Sequence, residues 1–315
     1  AMGFFSLPVV ADATKPGKVC RIGWLGPTYR IFDEVLLDEL HNLGWEKGKN
    51  FVIDYRSVGR DSEQISAAAA ELVREKVDLI FSVHTGDTLA AKNATSKIPI
   101  VFTMVSDPVG SGFVASLARP GGNMTGVCNN LIEITGKVLQ LLKEAVSGAS
   151  RIACLHNPDQ GQLGDRFLEK MQGAAQTLGV ALQFVEAKHA KDFEPAFAAM
   201  TRGQAQALVV LSSPPYNMYV SQIVGLALQE QLPMIVLGPN YWPNAGALMS
   251  YAPEYPHQYK RAAHLIDKIL RGAQPGELPV ELPNLYDFVI NLNTARALQL
   301  AVPQSILIRA SEVIE

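Results

Sequence analysis

The sequence predicts an α/β protein built as two doubly wound parallel-sheet lobes. Three observations lead there. Short apolar runs alternate with longer stretches whose apolar residues recur at helical spacing, which is the rhythm of repeated βα units. That rhythm runs twice along the chain, before and after the Gly-rich stretch ARPGGNMTG. The 315 residues, 48% hydrophobic and 18% charged, supply about two domains, each with its own core.

In the first series CRIGWLG reads as a strand. Phe32–Leu43 carries helical spacing and stops at Gly44. FVIDYR is a strand, Asp61–Lys76 a helix with Asp61 as N-cap, DLIFSV a strand, Asp87–Ser96 a helix and IPIVFT a strand. The second series reads Glu133–Val146 as a helix, then RIACLHN as a strand and Asp165–Leu178 as a helix. ALQFVE, Phe193–Met200, ALVVLS, Met218–Glu230 and MIVLG continue the alternation. GALMSY then leads into a long amphipathic helix ending at Gly272, and LYDFVINL is a strand before a short helix. These late pieces are too small for a third domain, so they complete the first two. The chain is therefore expected to cross between lobes near Val127–Asn130, Ser250–Ala252 and Asn284–Asp287. Lobe 1 is then 14–128 with 252–284, and lobe 2 is 129–251 with 285–315. A three-crossing connection between similar lobes is expected to act as a hinge beside a cleft.

The formal charge of −3 gives no general electrostatic reason to bind nucleic acid or an anionic membrane. Cys20, Cys128 and Cys154 form no CxxC or zinc spacing. Cys20 and Cys154 sit in apolar strands of different lobes, so both are expected as buried core residues, and no disulfide between them is expected. Phe4–Val10 followed by Ala11-Asp12-Ala13 resembles the tail of a secretory signal peptide. The other reading is an apolar tail behind a cloning scar at Ala1–Gly3. On the first, residues 1–13 are scar and signal remnant, and the mature, exported chain begins near Thr14. Gly17-Lys18-Val19 before Cys20 is not a lipoprotein box, and no apolar run is long enough to span a membrane.

Catalytic and cofactor motifs are missing. Gly23-Trp24-Leu25-Gly26-Pro27-Thr28-Tyr29 follows the first strand, where a dinucleotide site needs G-x-G-x-x-G, and Pro27 and Tyr29 crowd the approach of a pyrophosphate. GWEKGKN is not a P-loop, and neither G-x-S-x-G nor HExxH occurs. No cofactor, metal or catalytic residue is expected. What remains is polar residues at the carboxyl ends of strands, where open parallel sheets bind ligands. They are Pro27, Thr28 and Tyr29; His84, Thr85, Gly86 and Asp87; Ser106 and Asp107; Asn157; Ser212, Ser213 and Pro214; and Asn240, Tyr241 and Trp242. Asn129, Asn130 and Tyr251 lie by the expected crossings.

Each has a structural reading beside the functional one. Thr85 or Asp87 could cap the helix that follows, or Thr85 and that helix start could bind a carboxylate. Asn157-Pro158 and Asp107-Pro108 are turn formers, and Ser212-Ser213-Pro214 suits a strand-to-helix turn. Tyr29, Tyr241 and Trp242 could stack on a planar ligand or pack loops against a lobe.

The stretch IPIVFTMVSDPVGSGFVASLARPGGNMTGV resembles a segment of the ABC-transporter substrate-binding proteins that include the tryptophan/tyrosine type. LGWEKGKNFVIDYR, AAAAELVREKVDLI, LPVELPNLYDFVINLNTARALQL and RASEVIE are similar to the same family. The resemblance implies a type I periplasmic-binding-protein fold with three hinge crossings and a partner permease and ATPase. It also implies a periplasmic location, and a ligand that is an amino acid or an aromatic or other organic carboxylate. A monomer is expected. Two other readings stand beside it. An α/β enzyme acting on a small metabolite would use Asp107 or His84 as acid or base. A regulator's sensing half would need a DNA-binding segment that the roughly 17 residues before the first strand do not provide.

Overall fold

The computed structural model describes residues 18–57, 59, 61–211 and 213–315. The expected signal remnant at 1–13 and the candidate Ser212 lie outside them. In chain order the elements are β1 (Cys20–Leu25), α1 (Arg30–Asn42), β2 (Phe51–Arg56), α2 (Ser62–Arg74), β3 (Leu79–Val83), α3 (His84–Ala94), β4 (Ile100–Val105) and β5 (Met124–Cys128). Then follow α4 (Leu131–Ala145), β6 (Arg151–His156), α5 (Gly161–Leu178), β7 (Ala181–Glu186), α6 (Ala190–Arg202), β8 (Ala207–Val210), α7 (Val220–Gln229), β9 (Met234–Val236) and α8 (Tyr241–Asn244). The chain closes with β10 (Met249–Pro253), α9 (Tyr255–Leu270), β11 (Tyr286–Asn291), α10 (Leu292–Ala297), α11 (Gln304–Leu307) and β12 (Glu312–Ile314).

Two compact units emerge. The first holds the described residues up to Asn129 with Tyr255–Leu282, and the second holds Asn130–Glu254 with Pro283–Glu315. The chain thus passes between units at 129/130, 254/255 and 282/283. The sequence places those passages at 128/129, 251/252 and 284/285.

Unit 1 contains a five-stranded parallel sheet in the order β2-β1-β3-β4-β5. Its central strands are buried on both faces: β3 and β4 are buried at every position, as a sheet covered on both sides requires. One face packs Leu25, Ile80, Ile100 and Phe102 against Ala68, Ala69 and Leu72 of α2 and Ala90 and Ala91 of α3. On the other face Trp24, Phe81 and Tyr259 form an aromatic core in which Trp24 meets Phe81 edge-on at 4.7 Å. Asp61 caps α2 as expected, accepting the Glu63 and Gln64 backbone N–H groups at 2.9 Å.

Unit 2 contains a seven-stranded sheet in the order β12-β11-β10-β9-β8-β6-β7. Its pairs are parallel except β10–β11, which is antiparallel. The cause is visible in the register: Pro253, where the chain leaves β10, pairs with Tyr286, where it returns in β11. A chain that leaves and re-enters at one sheet edge must run back through the sheet. The expected helix from Met218 is also corrected. Pro214–Met218 is a tight helical turn that opens on Pro214 and Pro215, positions where no N–H partner is needed, and α7 begins at Val220. Cys20, Cys128 and Cys154 are buried and form no disulfide among the described residues. No described helix is long and apolar enough to cross a membrane.

The segment after β4 folds on itself. Asp107 accepts the Gly110 N–H at 2.8 Å, and the Phe113 N–H donates to the Pro108 carbonyl at 2.9 Å. The Ala115 N–H donates to Pro120 O at 3.0 Å, and Gly121 N–H reaches Gly276 O at 3.1 Å. At Gly276 an added Cβ would lie 2.7 Å from Gly122 O, so only glycine permits the two chains to touch there. The run DPVGSGFVASLARPGGN is therefore a self-bonded loop docked on residues 275–277.

Candidate functional site

Each sheet has a point where its strand order reverses, and ligands of open α/β sheets bind outside the carboxyl ends of the strands there. In unit 1 the reversal falls between β1 and β3, and in unit 2 between β6 and β8. Both points are bridged by a side-chain hydrogen bond between residues that the sequence singles out.

At the unit 1 edge the loop after β1 carries Pro27, Thr28 and Tyr29, with Thr28 exposed and the other two partly so. The chain leaving β3 carries His84, Thr85, Gly86 and Asp87, the first residues of α3. Tyr29 Oη and His84 Nε2 share a hydrogen bond of 2.9 Å, with the rings edge to face. Gly26 makes the turn with φ +124°, and a Cβ there would meet Asp87 Oδ2 at 3.0 Å. The capping roles expected for Thr85 and Asp87 are corrected. The helix starts at His84, its N-cap is Val83, and no side chain caps it. His84 holds φ +69°, so the strand turns into the helix earlier than the polar residues suggest. Thr85 and Gly86 consequently lie in the first turn, where backbone N–H groups have no intrahelical partner. Thr88, one turn on, donates to the His84 carbonyl at 2.7 Å and shares a 2.9 Å hydrogen bond with the buried Ser82.

After β4, Ser106 and Asp107 take structural parts: Asp107 closes the turn described above, and the Ser106 carbonyl faces Cys128 Sγ at 3.6 Å. Asn129 is 4% exposed, its backbone N–H donates to Val105 O at 2.9 Å, and its Oδ1 has no hydrogen-bond partner among the described residues. Asn130 adopts the left-handed conformation, φ 51°, and opens α4.

At the unit 2 edge Asn157 and Ser213 are both buried, and Asn157 Nδ2 donates to Ser213 Oγ at 3.2 Å. Asn157 Oδ1 accepts the Asp159 N–H at 2.9 Å, so its turn role is real and its amide is locked in place. Pro214 begins the tight turn that follows. His156, just before Asn157, is buried, and burial pushes its pKa down against the opposing pull of Glu186. Asn240 is exposed and donates to Asp287 Oδ2 at 3.3 Å, and Tyr241 is 39% exposed beside it. Trp242 is not a surface platform: at 1% exposure it belongs to the core with Tyr216 and Phe193. Tyr251 stacks on Tyr286, centroids 5.5 Å apart and rings 4° from parallel, and meets Phe288 edge-on at 6.0 Å.

The sequence reading places Tyr286 and Asp287 at the third crossing between lobes and does not single them out as candidates, although Tyr286 stacks on Tyr251 and Asp287 accepts from Asn240. Burial, then Glu254 and Glu312, push the Asp287 carboxyl up. Among the described residues no group of three or more His, Cys, Asp or Glu could hold a metal ion.

The sequence model for ABC transporter substrate binding proteins matches residues 28–314, which include both edges. The chain belongs to that family. A curated relative of this substrate-binding protein, the tyrosine-binding protein of Clostridioides difficile (strain R20291), is 28% identical over 263 residues, covering 83% of this chain and 74% of the relative. Among solved structures, a conserved domain protein from Vibrio cholerae is 26% identical with a TM-score of 0.85, covering 94% of this chain and 100% of that one. A Streptococcus pneumonia protein solved in complex with L-Trp superimposes with the same TM-score, 0.85, at 21% identity, covering 94% of this chain and 100% of that one. The fold of this substrate-binding protein is thus of the type I periplasmic-binding class, as the resemblance implies.

Proposed function

We propose that this chain is the exported, periplasmic solute-binding component of an ABC importer. It closes on one small organic molecule and delivers it unchanged to a permease driven by an ATPase. The ligand is an amino acid or an aromatic or other organic carboxylate. The observation that carries this reading is the paired arrangement of polar groups: each unit of a family member presents a hydrogen-bonded pair at the reversal point of its sheet. The relative described as a tyrosine-binding protein and the fold neighbour holding L-Trp support the ligand class.

On this reading the unit 1 edge offers Tyr29, His84, Thr85 and Gly86 to ligand. The unit 2 edge offers Asn157, Ser213, Tyr241 and Tyr251. The Thr85 hydroxyl and the first-turn N–H groups at Thr85 and Gly86 suit a carboxylate, and Tyr29 and the Tyr251–Tyr286 stack suit a planar group. Pro27, Thr28, Asn129, Asn130 and Asn240 line the same two edges. The closed form binds ligand better than the open form, and that difference in affinity draws the protein toward closure. The protein acts as a monomer, and the permease reads the closed form.

The test is a thermal-shift screen against amino acids, aromatic acids, sugars and polyamines, with recovery of the compound afterwards. A ligand at about a hundred times its Kd stabilises the fold by about 2.7 kcal/mol, an easily read shift. A hit recovered intact, and weakened by Thr85→Ala in a folded protein, is the expected result. Conversion of the bound compound to a product, or no shift with any amino acid or carboxylate, overturns the reading.

A further inference from the structure

Unit 1 carries a further set of polar groups on the sheet face covered by α1 and α9. Asp33, in the first turn of α1, is only 8% exposed, and its Oδ1 has no hydrogen-bond partner among the described residues. Gln258, in the first turn of α9, is 1% exposed, and neither its Oε1 nor its Nε2 is bonded. Thr103 in β4 is fully buried with an unbonded Oγ1. Among the described residues no Lys or Arg pairs with Asp33. Burial pushes its carboxyl up, a backbone hydrogen bond at Tyr29 pulls it back, and Glu34 adds to the rise.

These groups lie among rings. Phe32 sits 5.8 Å from Tyr29, 5.9 Å from Tyr255 and 5.5 Å from Tyr259 between centroids. The Asp33 charge reaches the hydroxyls of Tyr55 and Tyr259, raising both after burial has done so. The Asp33 N–H donates to Tyr29 O at 2.9 Å, one helical turn from the ring that bonds His84. A buried carboxylate without a counter-ion is destabilising, and a cation arriving beside it relieves that cost. The unbonded atoms are mostly acceptors, with one negative charge and electron-rich ring faces beside them. That chemistry suits an ammonium group and repels a carboxylate.

We propose that this edge of unit 1 receives the protonated amine of the ligand, with Asp33 as its counter-charge, Gln258 and Thr103 as hydrogen-bond partners, and Phe32, Tyr255 and Tyr259 as the aromatic wall. The assignment rests on the solute-binding reading above and narrows it: the ligand is an amine-bearing molecule, and an aromatic acid without the amine is excluded.

Calorimetric titration of the full chain decides it. The probes are tyrosine and tryptophan, their deaminated forms 3-(4-hydroxyphenyl)propionate and indole-3-propionate, and the decarboxylated amines tyramine and tryptamine. The compounds keeping the amine are expected to bind, and the deaminated acids to bind at least about tenfold more weakly than the amino acids. Asp33→Asn is expected to weaken amino acid binding about 10- to 100-fold. Its melting temperature without ligand should hold or rise, since the uncompensated charge is gone. With a merely structural Asp33 the variant would melt lower and keep the wild-type preference for the amine. Deaminated acids that bind as tightly as the amino acids overturn the proposal, and this comparison needs no variant. An Asp33→Asn protein with unchanged affinity for tyrosine or tryptophan also overturns it. If the strongest ligand from the wider screen lacks an amine, solute binding stands and the amine subsite falls; a screen with no ligand at all ends both.

Discussion

The bridge across the reversal point of unit 2 can be tested by a double-mutant cycle. Ser213→Ala removes the hydroxyl that accepts from Asn157 Nδ2 at 3.2 Å. Both residues are buried, 5% and 3% exposed, so the amide donor is left without a partner or access to water. An orphaned buried donor costs about 1–3 kcal/mol. For a unit of roughly 150 residues, each kcal/mol moves the melting temperature by about 2–4 °C, so Ser213→Ala should lower it by about 2–12 °C. Asn157→Ala loses the same bond and also frees the Asp159 N–H, which Asn157 Oδ1 accepts at 2.9 Å. In the double variant the orphaned donor no longer exists. Its destabilisation should therefore fall short of the summed singles by about 1 kcal/mol or more. Denaturant unfolding of the four proteins, followed in parallel with calorimetry to separate the two units, measures the coupling. Additive costs, or a Ser213→Ala protein that melts with the wild type, refute the bond as a real constraint at that edge.

Three further outcomes are expected. Gly276→Ala brings a Cβ to 2.7 Å from Gly122 O, a backbone atom that cannot swing aside, and should destabilise unit 1 by about 1–3 kcal/mol; a melting temperature equal to the wild type would contradict the docked loop. Asn291→Ala removes the cap on Thr294 N–H at 2.9 Å and the donor to Pro243 O at 2.8 Å, at a combined cost of about 2–4 kcal/mol in equilibrium unfolding, with Asn291→Ser recovering the cap's share; equal losses in both variants would contradict the capping role. Asp287 has a carboxyl held above its usual value of 3.8, so the native form binds its proton more readily than the unfolded form, and stability falls as pH rises from that value through the raised one. The melting advantage of Asp287→Asn should accordingly grow with pH across that window and stay flat above it; a pH-independent difference would contradict the burial argument.

The strands and most helices were legible because periodicity records burial. Asp61 announced its cap, and Gly44 its stop. The start of α3 was not legible. His84 takes a left-handed backbone and Val83 caps without a side chain, so the polar residues that normally mark a helix start point too far along. The direction of β11 was hidden for another reason: a buried strand has the same apolar pattern in either direction, and only the pairing of Pro253 with Tyr286 sets it. Trp242 looked like a loop aromatic because α8 is only four residues long, too short to show a period. Asp33 did leave a trace. It stands three residues before Leu36 and seven before Leu40, the buried stripe of α1, and Gln258 occupies the equivalent stripe of α9 beside Tyr255, Tyr259 and Ala262. A polar residue in an apolar stripe is the pattern of a buried group with a purpose, and the sequence reading passed over both.

The loop from Asp107 to Asn123 bonds to itself and to its surroundings in unit 1, to Gly276, to Val280 N–H through Leu117 O at 2.8 Å and to Lys92 Nζ through Gly112 O at 2.6 Å, yet it carries the longest of the resemblances read from the sequence. Resemblance there certifies the chassis and leaves the cargo open. Likeness in that segment is likeness of a scaffold part, so two proteins alike there need share no substrate.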